Sequence, residues 1–439
     1  MRRTRFSAAT WALAATGLSV LPVCVTAQDV PASLTDYVTV GRSGMVFYTT
    51  DAGDSWAQVT HTTTYVNGVT SDNRGRFVAV GAGGLIMVSE DGGATWEDAA
   101  SGTETVLQGV AWDDRDRFVA VGGAGVILSS TDGGTTWQPA NSGTTDALYS
   151  VDTDGLGNWV VGGVQGLILV SDDGGESWSR TKLGKGVHVN GLTSLGDGRW
   201  VAAGLQGIAA YSEDDGRSWT VADTGIRTTL EDVAGDAAGN VVAAGWDGAI
   251  IRSGDGGTTW EVAESGTTRR LHGATAGGAG EFVVVGRRGT VARSSDGGVT
   301  WTTTEGAAAG ILENVAFNRL PDLTVASLRL DDQCRVGMEV VNAGPATLPL
   351  EWWSAAGQLG VRLLRDDAPW SEVDIATLDS EQALRPAGGR LAHTFAEATV
   401  SDTVTVRLLL DPDGALVEGS EANNGQAMTV ACGAAAESR

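Results

Sequence analysis

Two groups of side chains in this 439-residue sequence are of types that do chemistry. One is a set of seven aspartates, Asp51, Asp91, Asp132, Asp173, Asp214, Asp255 and Asp296. Each lies in the frame Ser/Thr-x-Asp-x-Gly-x-Ser/Thr-Trp, which ends on Trp56, Trp96, Trp137, Trp178, Trp219, Trp260 and Trp301. Clustered carboxylate oxygens of this kind could bind calcium weakly. The same oxygens are also placed to accept backbone N–H bonds inside a tight turn, with the Gly at positive φ and the indole packed over it. A catalytic group is rarely needed seven times, so the turn reading leads and no metal is assigned.

The other group is six arginines, Arg42, Arg227, Arg269, Arg270, Arg287 and Arg288, together with Trp246 and Asp247. Guanidinium forks hold carboxylates bidentately and stack on aromatic rings, so such a set would take an acidic peptide or a chain's C-terminal carboxylate. The alternative is that they pair with neighbouring Asp and Glu as solvated surface. Other chemistry finds little support. Four scattered histidines and two cysteines in a separate region give no zinc spacing. No nucleophile elbow and no phosphate loop ending in Gly-Lys-Ser/Thr occurs.

The elements that position these residues follow from the spacing. Successive box aspartates are 40 and then 41 residues apart, the latter five times. A Gly stands ten residues before each, and another seven before. A period near 41, with short apolar alternations between Gly-rich turns, marks a propeller with one four-stranded blade per period. The expected fold is all-β: a seven-bladed β-propeller over residues 35–318, followed by a C-terminal β-sandwich. Within a period, strand A is read as 107–112, strand B as 117–122 and strand C as 125–130, with strand D starting near Trp137. The array begins at strand B (37–41) and ends on an extra strand A (312–317), so the last strand should close the first blade and leave no open edge.

In that arrangement the B–C turns and D–A connections share one face, and the boxes lie on the other. Arg42, Trp246, Asp247, Arg287 and Arg288 fall on B–C turns of adjacent blades, and Arg227, Arg269 and Arg270 on D–A connections. A second non-uniform set, Asn67, Gln108, Tyr149, Asn190, Glu231, His272 and Glu313, comes one per blade from strand A and should ring the channel mouth. At least half of such positions are expected only to satisfy backbone groups or water.

Composition fits this reading. Gly numbers 63 and Pro 9, and the 15 Trp outnumber Tyr and Phe together, as many tight turns and a regularly placed large aromatic require. Residues 1–27 read as a cleaved signal peptide, with three arginines, an apolar run and Val25-Thr26-Ala27 before the cut. Lipid anchoring through Cys24 is the lesser alternative, because Val23 is bulky. Cleavage moves the formal net charge from −25 to −28 by removing three arginines, which argues against nucleic acid or an anionic membrane as partner. No later run is long enough for a membrane helix. The mature protein is therefore expected to be exported, periplasmic or secreted. Cys334 and Cys432, an even pair in an exported chain, are candidates for a disulfide.

The box turn resembles the Asp-box, or bacterial neuraminidase repeat, shared by sialidases, other glycoside hydrolases and the photosystem II stability and assembly factor family. Seven blades, the GRFVAVGxxGxIxxSxDGGxTW phrasing and the strand latch are most similar to the last of these. That resemblance implies a non-enzymatic propeller, without cofactor, that offers an Arg-rich patch to a membrane-protein client. Residues 321–433, with PDLTVASLRL, QCRVGMEVVNAGP and DPDGALVEGSEANNGQAMTV, resemble the bacterial adhesion-related (CARDB-like) domain of immunoglobulin-like fold, leaving 434–439 as a tail. The rival is a sialidase-like hydrolase, for which Arg42, Arg227 and Arg287 with Tyr149 and Glu231 or Glu313 would be the imitation. It lacks an Arg-Ile-Pro stretch before the boxes and the long loops that build a sugar cleft. A carbohydrate-binding protein, with Trp246 as stacking platform, is the other alternative to a protein-binding scaffold.

Overall fold

The computed structural model describes residues 37–318 apart from positions 52, 114, 116, 185–186, 237 and 278–279. In the C-terminal part it describes 323–342, 360–366, 368–379, 390–400, 403–410 and 425–430. The signal segment with Cys24, the linker 319–322, Cys432, the tail, and most of the PDL, Asn-x-Gly and closing Glu-x-Asn-Asn stretches lie outside the described residues.

Seven antiparallel four-stranded sheets form the propeller. Blade three shows the pattern: strand A Leu107–Trp112, B Phe118–Gly122, C Ile127–Ser130 and D Gln138–Ala140. Strand C starts two residues later than the sequence suggests, because Gly125 still belongs to the B–C turn. Strand B is buried at all five positions, as expected for a strand covered by the sheets on both sides. Blade one takes its strand A from Leu312–Phe317, which pairs with Tyr37–Gly41. The ring is thus closed by noncovalent pairing of the two ends of the repeat array.

The core is divided among the gaps between blades. Between blades two and three, Val78, Val80, Ile86 and Val88 meet Leu107, Val110, Phe118 and Leu128, with Trp137 over the edge. Each box turn serves such a seam. In blade three, the Ser130 hydroxyl donates to Asp132 (2.8 Å) and accepts from the Gly134 N–H (3.0 Å). Asp132 in turn accepts from the Thr136 N–H and hydroxyl (2.9 and 2.6 Å). These bonds recur in all seven blades and hold the Asp173 and Asp296 carboxyls down at about 2. Gly134 has φ +85°, and a Cβ there would lie 2.9 Å from Val78 of the preceding blade. The indole N–H of five box tryptophans donates to that glycine's carbonyl, as Trp137 does to Gly134 (2.7 Å); those of Trp56 and Trp178 have no hydrogen-bond partner among the described residues. Among the described residues no group of three or more His, Cys, Asp or Glu is arranged to hold a metal.

The C-terminal part forms a three-stranded and a four-stranded antiparallel sheet over one core, containing Val336, Met338, Val361, Leu363, Phe395 and Leu408. Among the described residues no helix is long and apolar enough to cross a membrane.

Candidate binding face at the channel mouth

Two glycines per blade build the face. The first is extended, and a Cβ on it would strike the carbonyl just before strand A: 2.1 Å at Gly41 to Ile311 and 2.3 Å at Gly286 to Arg270. That carbonyl accepts the N–H of the next residue, Arg42 or Arg287 (3.1 and 2.9 Å). The second glycine is left-handed, and its Cβ would strike the D–A connection: 2.0 Å at Gly248 to the Thr267 carbonyl, 1.5 Å at Gly289 to that of Ala308. Only glycine permits this approach. The paired glycines therefore clamp each B–C turn onto its D–A connection, making one surface of two segments distant in sequence.

Between those glycines the second residue is left-handed in every blade, and only Gly83 is a glycine. Ser43, Ala124, Gln165, Gln206, Asp247 and Arg288 hold φ between 53° and 61°. This geometry turns Asp247 and Arg288 outward, where both are exposed.

The ring residues are aimed by a different device. The A–B ladder skips one residue in every blade, as between Leu107 and Gly109 or between Leu230 and Asp232. The skipped residue is the ring position, and such a bulge re-aims its side chain. All seven line a channel cavity of about 1130 Å³. Asn67 and Asn190 donate to the Leu107 and Leu230 carbonyls of the next blade (2.9 and 2.8 Å), so these two close the ring. Tyr149 stacks near His188, with ring centroids 5.8 Å apart.

Glu231, His272 and Glu313 instead join the arginines. Glu313 bonds Arg42 (2.5 Å) and His272 Nδ1 (3.2 Å). Glu231 bonds Arg270 (2.6 Å) and the Trp246 indole N–H, and the Arg270 guanidinium lies over the Trp246 ring at 4.5 Å. Arg42 reaches the exposed Tyr65 ring at 5.6 Å. The bond to Glu313 raises the Arg42 pKa above its usual value. Burial pushes His272 down to about 4, with Arg270, Arg42 and Arg287 adding to the effect and Glu313 opposing it. Its imidazole is therefore neutral near pH 7.

One layer deeper, burial lifts Asp232 to about 7 against two backbone N–H donors, those of Val233 and Ala274. Asp232 stands where Gly68, Gly109, Gly191 and Gly273 stand in other blades. A Cβ at Gly273 would lie 2.6 Å from the Asn314 Cα. At the three non-glycine positions, Ser150, Asp232 and Asn314 accept an N–H of the next blade's strand A instead (3.1, 3.0 and 3.3 Å).

The family described as Photosynthesis system II assembly factor YCF48 matches residues 88–275. The propeller is YCF48-like. That family is described as one of assembly factors. Among solved structures, YCF48 from Cyanidioschyzon merolae is 16% identical, with a TM-score of 0.46 over 64% of this chain and 93% of its own. YCF48 bound to D1 peptide is 16% identical, with a TM-score of 0.48 over 73% and 96%. The WD40 propeller domain of Doa1 is 13% identical, with a TM-score of 0.49 over 70% and 94%. No curated protein sequence matches the chain.

In the YCF48-like propeller the six arginines divide. Arg42 and Arg270 are held by the ring glutamates, and Arg269 by Glu305 (3.4 Å). Arg227, Arg287 and Arg288 are exposed and make no hydrogen bond or ion pair from their side chains among the described residues. Sequence reasoning missed Tyr65, Asp232 and Glu305. Asp232 carried a readable signal, since it interrupts a column of glycines. Tyr65 and Glu305 carried none.

Proposed function

We propose that the protein is an exported binding scaffold whose propeller engages an acidic segment of a protein partner through the B–C/D–A face. The family match supports the assembly-factor class. The observation that carries the reading is the state of Arg227, Arg287 and Arg288. In a protein of formal net charge −25, three exposed guanidinia that make no direct ion pair among the described residues lie on a face that paired glycines hold in place. Unpaired forks of this kind gain most from an incoming carboxylate. Arg42 and Arg270, already neutralised, serve to fix the aromatic rings of Tyr65 and Trp246 beside them. Arg270 covers one face of the Trp246 ring, which counts against a sugar stacked on that side.

Export through residues 1–27, and a disulfide between Cys334 and Cys432, belong to the same proposal. They are supported by the leader-like composition and the even pair of cysteines in the last quarter of the chain.

The test is affinity capture from the native envelope fraction with wild type and Arg287→Glu/Arg288→Glu. A defined protein held by wild type, lost in the double variant and released by salt is the expected result, because exposed charge contacts are screened over ~10 Å at 0.1 M salt. Retention of every partner by the variant, or capture of glycan alone, overturns the proposal.

A further inference from the structure

The repeat is broken in a second way beside Arg287 and Arg288. In blades two, three, five and six the D–A connection carries bonded hydroxyls: Ser101 and Ser265 donate to the carbonyls of Thr103 and Thr267 (both 3.0 Å), and Ser142 and Thr224 to those of Gly125 and Gly207 (both 2.6 Å). The connection of blade seven reads Gly306-Ala307-Ala308-Ala309-Gly310-Ile311. At this connection a groove of about 820 Å³ lies on the seam between blades seven and one. Trp56 and the exposed Gln58 of blade one stand on one side with Phe47 buried beneath, Ala307 to Gly310 form the floor, and Arg287 and Arg288 lie at the rim. The floor is fixed: Ala308 is buried with Phe47 and Leu312, and the Gly289 N–H donates to the Gly310 carbonyl (2.7 Å). Ala309 is exposed. Trp56 is one of the two box tryptophans whose indole N–H has no hydrogen-bond partner among the described residues.

This is a largely apolar groove with the Trp56 ring and the Gln58 amide on one side, a floor that carries nothing beyond Cβ, and two cations at the edge. Water gains little there, and an apolar side chain gains much. Glu305, which acts on Arg288, is already bonded to Thr267 and Arg269. We propose that the groove receives an extended peptide segment of the partner, in which a large apolar side chain packs against Trp56 over Ala309 while adjacent carboxylates meet Arg287 and Arg288. The bare floor lets the partner's backbone approach closely. This rests on the function proposed above and adds a sequence requirement to it: acidity alone is not enough.

The full chain can be titrated with two fluorescent peptides, Gly-Asp-Phe-Glu-Leu-Asp-Ser-Gly and a twin with Ser in place of Phe and Leu. The apolar-acidic peptide is expected to bind wild type roughly tenfold tighter or more, the gain from burying one large side chain. Ala309→Trp should fill the groove and remove that difference while leaving the twin's affinity unchanged; Ala309→Gln gives a second, smaller obstruction should the first variant fold poorly. Arg287→Glu/Arg288→Glu should weaken both peptides. If both peptides bind alike and neither Ala309 variant matters, the groove is overturned and the arginine face stands. If the preference survives the double Arg variant at full affinity, the acidic requirement and the arginine reading both fall. Failure of wild type to bind either peptide overturns both.

Discussion

At the residue scale, the second position of each B–C turn shows how one local demand is met by unlike side chains. A left-handed conformation costs a non-glycine residue about 1–2 kcal/mol, yet six of the seven blades place one there. Arg288 and Asp247 therefore gain exposure at an energetic cost shared by Ala124, which is also exposed. Ala124→Gly is expected to stabilise the protein by about 0.5–1 kcal/mol after the greater unfolded-state freedom of glycine is deducted. Gly83→Ala should cost a similar amount, and urea unfolding measures both. Arg288→Gly should gain like Ala124→Gly while losing the binding contact, so stability and affinity would move in opposite directions at this one position. None of this was readable from the residues between the paired glycines, since Ser, Ala, Gln, Asp and Arg share no propensity that announces positive φ.

At the element scale, the bulged strand A governs what faces the channel. The period and the strand latch were legible because apolar alternation and glycine spacing record them directly. The skipped residue in strand A was not, since a bulge adds a residue without changing the composition. Its position was found only as a non-uniform column, and the structure gives that column two roles, ring closure by Asn67 and Asn190 and arginine binding by Glu231 and Glu313. His272 and Asp232, on neighbouring strands A, carry opposite pH dependences. The folded pKa of His272 is depressed from 6.5 to about 4, so the unfolded chain binds the proton better and stability is lost as pH falls through that window. The Asp232 pKa is raised from 3.8 to about 7, so its contribution is present at low pH and lost as pH rises over nearly the same range. The two slopes partly cancel in the wild type. His272→Gln should make stability fall as pH rises from 4 to 6.5, whereas Asp232→Asn should make it rise more steeply; denaturation midpoints across that range decide. Parallel slopes in the two variants would refute the assignment.

At the scale of the whole molecule, the latch fixes where the rest of the chain departs. Leu312–Phe317 runs from the B–C/D–A side, beside Ile311 and Arg42, to the A–B side, where Phe317 pairs with Tyr37. The chain therefore leaves the propeller on the side away from the arginines, and the C-terminal sheets are not needed to build the proposed face. A stop after Asn318 keeps that strand, with Val315 and Leu312 in the seam between blades seven and one, and keeps the Asn318 side chain that accepts from Ser71 (3.1 Å). A stop after Ile311 removes the strand and exposes the edge of Tyr37–Gly41, which is an invitation to aggregate. The shorter chain should be insoluble or unfold at markedly lower urea, by well over the ~3 kcal/mol typical of one large core deletion. The longer one should keep cooperative unfolding and the full affinity for an acidic-apolar peptide. Loss of that affinity on removing only the residues after Asn318 would place part of the binding surface in the C-terminal sheets. Equal stability of the two truncations would mean that blade one closes without its last strand.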